Sequence, residues 1–488
     1  MTGTRTHCDA VVIGAGLAGL SCAARLTRAG CKVAVLEKNS RPGGYGVTHT
    51  VRGHRFDIAV QAIGGCDSAG AVYGLVRDTG QETEVGFLAC EPARTYYFHN
   101  DPEPWKQPGS WQAAADMLGR RFPAFAPAIG SCYRSWAGLL EELQAIAAQA
   151  ETGAAYRFSR DFPLLARYGS HTLQQFLDEQ ALPFELQKLL AARSGYCMLP
   201  PGRLSLIGFA CTEMSYGRGA WLVEGGILKL ADALARYLGD HGSSVVCRSR
   251  VAAITTHRGR VSGAATRDGR MYAAPIVILA AAVRPALFSL LDSPGLLPAR
   301  YSDRLARMEQ TGSYYVGYYS VPAGAAGGLM PNCEIEEQLE TITGSWAPSV
   351  YYMLVPSLVD PGAAPPGRHC LCLSIPCPAG LRLGRAARLR CRAMLEQAVV
   401  RRFPALAGCM TWLFELAPEQ LAAISGNPDG CAYGWALTPE QSGIKRLALT
   451  TPLAGLYLAG HWTMPGGGID AVVTSGKLCA QAIINSNR

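Results

Sequence analysis

The chain has 488 residues, 49% hydrophobic and 17% charged, which excludes a disordered protein and supplies more apolar material than one simple core uses, so two domains are expected. The net charge of +8 comes mainly from arginine, with seven lysines in all; it favours anionic ligands or surfaces without specifying one, and no nucleic-acid partner is expected. The richest apolar run, Pro275 to Val283, is cut by Arg284 well before the roughly 18 residues of a membrane span, so no transmembrane helix is expected.

Met1-Thr-Gly-Thr-Arg-Thr-His-Cys runs straight into an apolar segment, which leaves no room for a signal peptide and predicts a cytoplasmic protein. The run Ala10 to Ile13, the turn Gly14-x-Gly16-x-x-Gly19, a helical pattern to Ala29 and a second apolar run, Val33 to Leu36, ending in Glu37 predict a βαβ unit. Gly14 permits the sharp strand-to-helix turn, Gly16 the approach of a pyrophosphate, and Gly19 close helix–strand packing. The diphosphate then rests on the positive helix start at Leu17 and Ala18. Glu37, 23 residues beyond Gly14, is placed to accept ribose hydroxyls. Directly downstream, Lys38 and Arg41-Pro42-Gly43-Gly44 offer a second close approach to the phosphates. That resembles the extended fingerprint of FAD enzymes rather than that of nicotinamide dehydrogenases. No second strand-GxGxxG-helix unit follows, so if NADPH reduces this flavin it does so as a transient visitor.

Thr48 to Gly65 reads as strands and a turn returning past the cofactor. An FAD fingerprint with paired glycines, followed by Gly53-x-x-Phe56-Asp57, resembles the phytoene desaturase, carotenoid isomerase and retinol saturase-like flavoproteins. Tyr45 stands where that pattern usually has arginine, and Ala59 where it usually has glycine. The resemblance implies a Rossmann-type, glutathione-reductase-like α/β FAD-binding domain, discontinuous in sequence, joined to an α+β substrate domain containing an antiparallel sheet. The expected division is 1–70, 215–288 and 425–488 for FAD, and 90–214 and 289–424 for substrate.

Residues 90–215 carry Trp105, Trp111, Trp136 and helical apolar spacing from Met117 to Ala148. They read as helices that either cover a core or together line a long apolar cavity. A glycine pair, Gly225-Gly226, opens another helix, followed by a strand and turn to Ile254 and a buried strand from Ile276 to Ala281, a return to helix–strand alternation. In the resembled family the residue at the Val251 position contacts adenine through its backbone. Ser313 to Val321, Ser349 to Val355 and His369 to Ile375 read as strands of an antiparallel sheet against the substrate. On the helix Gly384 to Phe403, Arg385, Arg388 and Arg392 share one face, open to an anionic membrane surface, an acidic group or plain solvation. The seventeen cysteines, Cys370, Cys372 and Cys377 included, lack zinc spacing and read as small buried hydrophobes, with no metal site expected.

The end motif, Leu456-Tyr-Leu-Ala-Gly460-His461-Trp462-Thr463-Met-Pro465-Gly466-Gly467-Gly468-Ile469, resembles that of the same family. An apolar strand delivers the chain to the flavin, Gly460, Gly467, Gly468 and Ile469 lie against it, and the following helix points its N-terminus at the ring. His461 stands where many FAD enzymes of this broad fold have an acid, and serves either the cofactor or the substrate. Tyr45, Gln61, His461 and Trp462 are the candidates for steering protons, with packing as the alternative role for each. The expected activity is FAD-dependent redox chemistry on carbon–carbon bonds of a lipophilic conjugated polyene: desaturation, isomerisation, saturation or reductive cyclisation, the last exemplified by NADPH-using cyclases of polyene tetramate-type products in secondary metabolism. A flavin amine oxidase and a non-enzymatic prenyl-lipid escort are the rivals.

Overall fold

The computed structural model describes residues 5–99, 101, 103–152, 157–293, 295–344 and 346–486; the expectation placed on Met1 to Thr4 lies outside them. Ala10–Ile13 is a strand with every residue buried, as an unbroken apolar run requires when both sheet faces are covered. Gly14 turns the chain with φ +106°, where a Cβ would lie 2.6 Å from the Ala280 carbonyl oxygen. The helix Leu17–Arg28 follows, then the buried strand Val33–Leu36.

These strands sit in a five-stranded, wholly parallel sheet ordered Ser244–Val246, Val33–Leu36, Ala10–Ile13, Ile276–Leu279, Leu456–Leu458. The C-terminal helix Ile469–Ser486 packs on Leu17–Arg28. Ser21 Oγ donates to the Val473 carbonyl at 2.8 Å, and Gly476 sits where a Cβ would meet the Ala18 carbonyl. The two ends of the chain are thereby locked around one site. A four-stranded sheet, Arg5–His7, Met271–Ala273, Arg260–Thr266 and Val251–His257, flanks it.

A seven-stranded sheet forms the opposite wall, ordered Thr411–Leu416, Ser313–Pro322, Arg368–Cys377, Val350–Leu354, Asn332–Glu336, Arg94–Tyr97, Trp105–Gln107. The three expected strands are its centre. It is mixed rather than antiparallel throughout, since Asn332–Glu336 runs parallel to Arg94–Tyr97. Two of its strands come from a stretch that the helical spacing further along had masked. Arg94, Thr95, Tyr96 and Tyr97 are all buried, so no alternation marked them.

The helices between Trp111 and Tyr216 pack mainly on one another, with Trp136 wedged against Tyr133, Phe176 and Phe209. They do not line a long apolar cavity; of residues 90–214, Tyr196 alone borders the main cavity among the described residues. Their apolar stripes are consumed by mutual burial. On the helix Arg385–Arg402, Arg388 pairs with Glu415 at 3.6 Å and Arg392 with Glu396 at 2.8 Å, the latter also over the Trp412 ring. No helix among the described residues is long and apolar enough to cross a membrane.

Candidate active site

A cavity of about 470 Å³ opens at the carboxyl ends of the parallel strands, where ligands of open α/β sheets bind. Four of the five strands deliver a segment to it: Gly14 to Ala18 excepting Ala15, Glu37 to Asn39, Ala280 to Ala282, and Ala459 to Trp462. Glu37 is buried; its carboxylate accepts from the backbone N–H of Ala15 and of Asn39, both at 2.8 Å. Lys38 Nζ donates to the carbonyls of Ala423 and Ile424 at 2.9 and 3.0 Å, and burial lowers its pKa. The Gly43 N–H donates to Ala15 O at 2.8 Å, and Gly44, at φ +62°, lies where a Cβ would come 3.1 Å from Gly16 Cα. A side chain at Gly44 would press into the groove between the two loops, and one at Gly43 would strike the Gly46 carbonyl of its own loop.

Val251, Gly460, Gly468 and Ile469 border the cavity, as do all four proton-steering candidates, Tyr45, Gln61, His461 and Trp462. Three of the expected residues lie elsewhere. Arg41 is exposed and pairs with Asp232 at 3.4 Å. Gly19 works inside the fold, where a Cβ would strike the Gly14 carbonyl and Val12. Gly467 packs on Tyr433, 2.6 Å from any added Cβ, so it seats Tyr433 rather than facing a ligand.

The Tyr45 hydroxyl donates to the Cys431 carbonyl at 3.0 Å and accepts from Ser425 Oγ at 3.1 Å; burial pushes its pKa up to about 12. Gln61 Nε2 donates to Ser374 Oγ at 3.3 Å. Asn427 Oδ1 accepts from Trp462 Nε1 at 3.1 Å and stands 3.4 Å from His461 Nε2. Burial, reinforced by the Arg446 charge, pushes His461 down to about 3, so its imidazole is neutral at any working pH. It can accept or donate a hydrogen bond there without bringing a charge.

Sequence reasoning missed the other end of the cavity, walled by Tyr196, Tyr216, Tyr314, Tyr318 and Tyr433. Part of the signal was present. Tyr314 and Tyr318 are four apart on one strand and share a face, while Tyr315 and Tyr319 turn into the core beneath the helix Arg385–Arg402. Arg250 and Arg267 also border the site, and their spacing gave no such cue.

Glycines that leave room for a diphosphate, a helix N-terminus aimed at it and a buried acid at the end of the second strand fit a bound FAD. The class is therefore an α/β FAD-dependent oxidoreductase. Residues 17–484 match the family of flavin-containing amine oxidoreductases, and the chain belongs to that family. It is similar to the neurosporene-forming phytoene desaturase of Rhodobacter capsulatus, at 25% identity over 97% of this chain and 93% of the relative. It is also similar to the chloroplastic prolycopene isomerase of Arabidopsis thaliana, at 24% identity over 97% and 82%. Among solved structures, cyclohexylamine oxidase from Brevibacterium oxydans shares the fold, with a TM-score of 0.63 and 18% identity over 98% of this chain and 99% of the other.

Proposed function

We propose that the protein is an FAD-dependent oxidoreductase acting on carbon–carbon bonds of a conjugated polyene, by desaturation, isomerisation, saturation or reductive cyclisation. The observation that carries this reading is the single cavity that joins the dinucleotide fingerprint to a buried chamber against the seven-stranded sheet. Similarity to a carotenoid desaturase and a carotenoid isomerase supports it. Residues 1–70, 215–288 and 425–488 hold the cofactor in this reading, and 90–214 with 289–424 hold the substrate.

FAD, when bound, supplies the two-electron chemistry. Glu37 would take the adenosine ribose, the turn at Gly14 and Gly16 with Gly43 and Gly44 would take the diphosphate, and Val251 would meet the adenine. Gly460, Gly468 and Ile469 would lie along the ring. Val316, Leu354 and Cys372 give the chamber apolar wall, against which a flat chain is held in one orientation. Neutral His461 and Trp462, both tied to Asn427, fix the edge of the site without adding charge. The tyrosine-rich wall supports a second reading, a flavin amine oxidase, because tyrosine faces attract cations.

The test is the visible spectrum of the purified protein, followed by anaerobic addition of NADPH and then of polyenes. A yellow protein bleached by NADPH supports saturation or reductive cyclisation. A yellow protein that stays oxidised with NADPH but responds to polyenes supports desaturation or isomerisation. Bleaching by amines alone supports the second reading.

A further inference from the structure

The chamber beyond the dinucleotide site is not the wall of a hydrocarbon binder. Resting on the polyene reading above, we infer that the substrate is an oxygenated polyene, with a hydroxyl, carbonyl or amide oxygen seated among Tyr196, Tyr314, Tyr433 and Gln61. The protein itself leaves several hydrogen-bonding groups of this chamber uncommitted.

Tyr216 is satisfied, its hydroxyl donating to the Ala62 carbonyl at 3.0 Å. Tyr196 is not: its oxygen accepts from Asn332 Nδ2 at 3.4 Å, and its own proton has no protein acceptor among the described residues. Tyr314 and Tyr433 stand perpendicular, with ring centroids 6.4 Å apart, and both border the chamber; two neighbouring hydroxyls can spend only one proton on each other, which leaves the second to a guest. Gln61 spends Nε2 on Ser374, and its carbonyl oxygen has no protein donor among the described residues. Two donors and an acceptor therefore border one chamber. A hydrocarbon seated against these groups would bury all three unpaired. An oxygen function on the substrate gives them a partner.

The wall is also braced against rearrangement. Tyr196 and Tyr216 are stacked at 4.9 Å, and behind them lie two buried arginines. Arg94 stands 4.0 Å from the Tyr196 centroid and pairs with Glu334 at 2.9 Å; Arg193 stands 4.8 Å from Tyr216 and pairs with Glu213 at 2.7 Å. Cation–π contact and the ion pairs hold both rings in place, so the hydroxyls cannot simply turn away from an apolar guest. The apolar side of the same chamber, Val316, Leu354 and Cys372, leaves room for the conjugated part.

The experiment titrates the FAD-loaded protein, anaerobically, with retinol and with anhydroretinol, an oxygenated polyene and a hydrocarbon polyene of one carbon skeleton, following the flavin spectrum and tyrosine fluorescence. Retinol is expected to bind at least about tenfold more tightly, the discrimination that about one well-formed hydrogen bond provides. Tyr196→Phe and Tyr314→Phe, which keep the rings, are expected to reduce that preference from both sides, weakening retinol and tightening anhydroretinol, which no longer buries an unpaired hydroxyl; Gln61→Leu is a third variant at a position outside the stacked wall. Equal or tighter binding of anhydroretinol, with a preference that the three substitutions do not move, overturns the inference and leaves the polyene reading standing. If neither polyene perturbs the flavin and benzylamine bleaches it, the polyene reading falls and the inference with it.

Discussion

Arg446 Nη2 donates to the main-chain carbonyl of His461 at 2.5 Å, and no carboxylate pairs with this buried guanidinium among the described residues. Its other bonds go to the carbonyls of Thr463 at 2.9 Å, Trp435 at 3.2 Å and Gln441 at 3.4 Å. A buried cation solvated by backbone oxygens alone holds the segment that carries His461 and Trp462 to the cavity. Burial lowers its pKa to about 10, still far above neutrality, so the charge persists.

Arg446→Met is therefore expected to destabilise the fold by about 3 kcal/mol or more, since several buried carbonyls lose their donors at about 1–3 kcal/mol each. Denaturant midpoints measure this, and Arg446→Lys should recover only part of the loss because it lacks the planar fork.

The neutral His461 has a signature in pH. Its folded pKa of about 3 lies below the ordinary 6.5, so the unfolded chain takes up the proton first. Its contribution is intact above pH 6.5 and is lost as pH falls toward 3, by up to about 1.4 kcal/mol per unit. A His461→Asn variant should show a shallower fall in unfolding free energy between pH 6.5 and 4 than the parent, and no difference in slope above pH 7. Parallel curves throughout would contradict the assignment.

Glu37→Ala removes the buried acceptor at the end of the second strand. Loss of charge-assisted bonds to a ribose is expected to weaken FAD binding by about tenfold or more, read as flavin retained per protein after dialysis. The carboxylate also accepts from Ala15 and Asn39, so thermal stability should fall in the same variant.

Arg94 and Glu334 form a buried pair in which burial pushes the Glu334 carboxyl up to about 6 despite the arginine. Arg94→Met should cost about 3–5 kcal/mol, because it strands a buried acid. The double variant Arg94→Met with Glu334→Gln should recover much of that, and unfolding curves of the two proteins decide it.

The glycine turns at both ends of the chain were legible because they answer to backbone geometry, which a local pattern records. Gly14 turns the strand into this helix at φ +106°, where a Cβ would lie 2.6 Å from the Ala280 carbonyl oxygen. Arg41 leaves its loop toward Asp232, a direction that adjacency to the glycine pair does not record. Arg94 and Glu334 lie 240 residues apart, and nothing local to either announces the partner. The tyrosine chamber falls between these cases. Alternation put Tyr314 and Tyr318 on one face, but which face met the cavity depended on the helix Arg385–Arg402 covering the other.

The most direct test of the central claim is to mix the FAD-loaded protein anaerobically with a conjugated polyene, before and after reduction by NADPH, and to follow flavin and polyene absorbance together. A change in polyene absorbance is expected, accompanied by a matching flavin change unless the net reaction is an isomerisation. Polyenes left unaltered in both states, with amines bleaching the flavin, would contradict it.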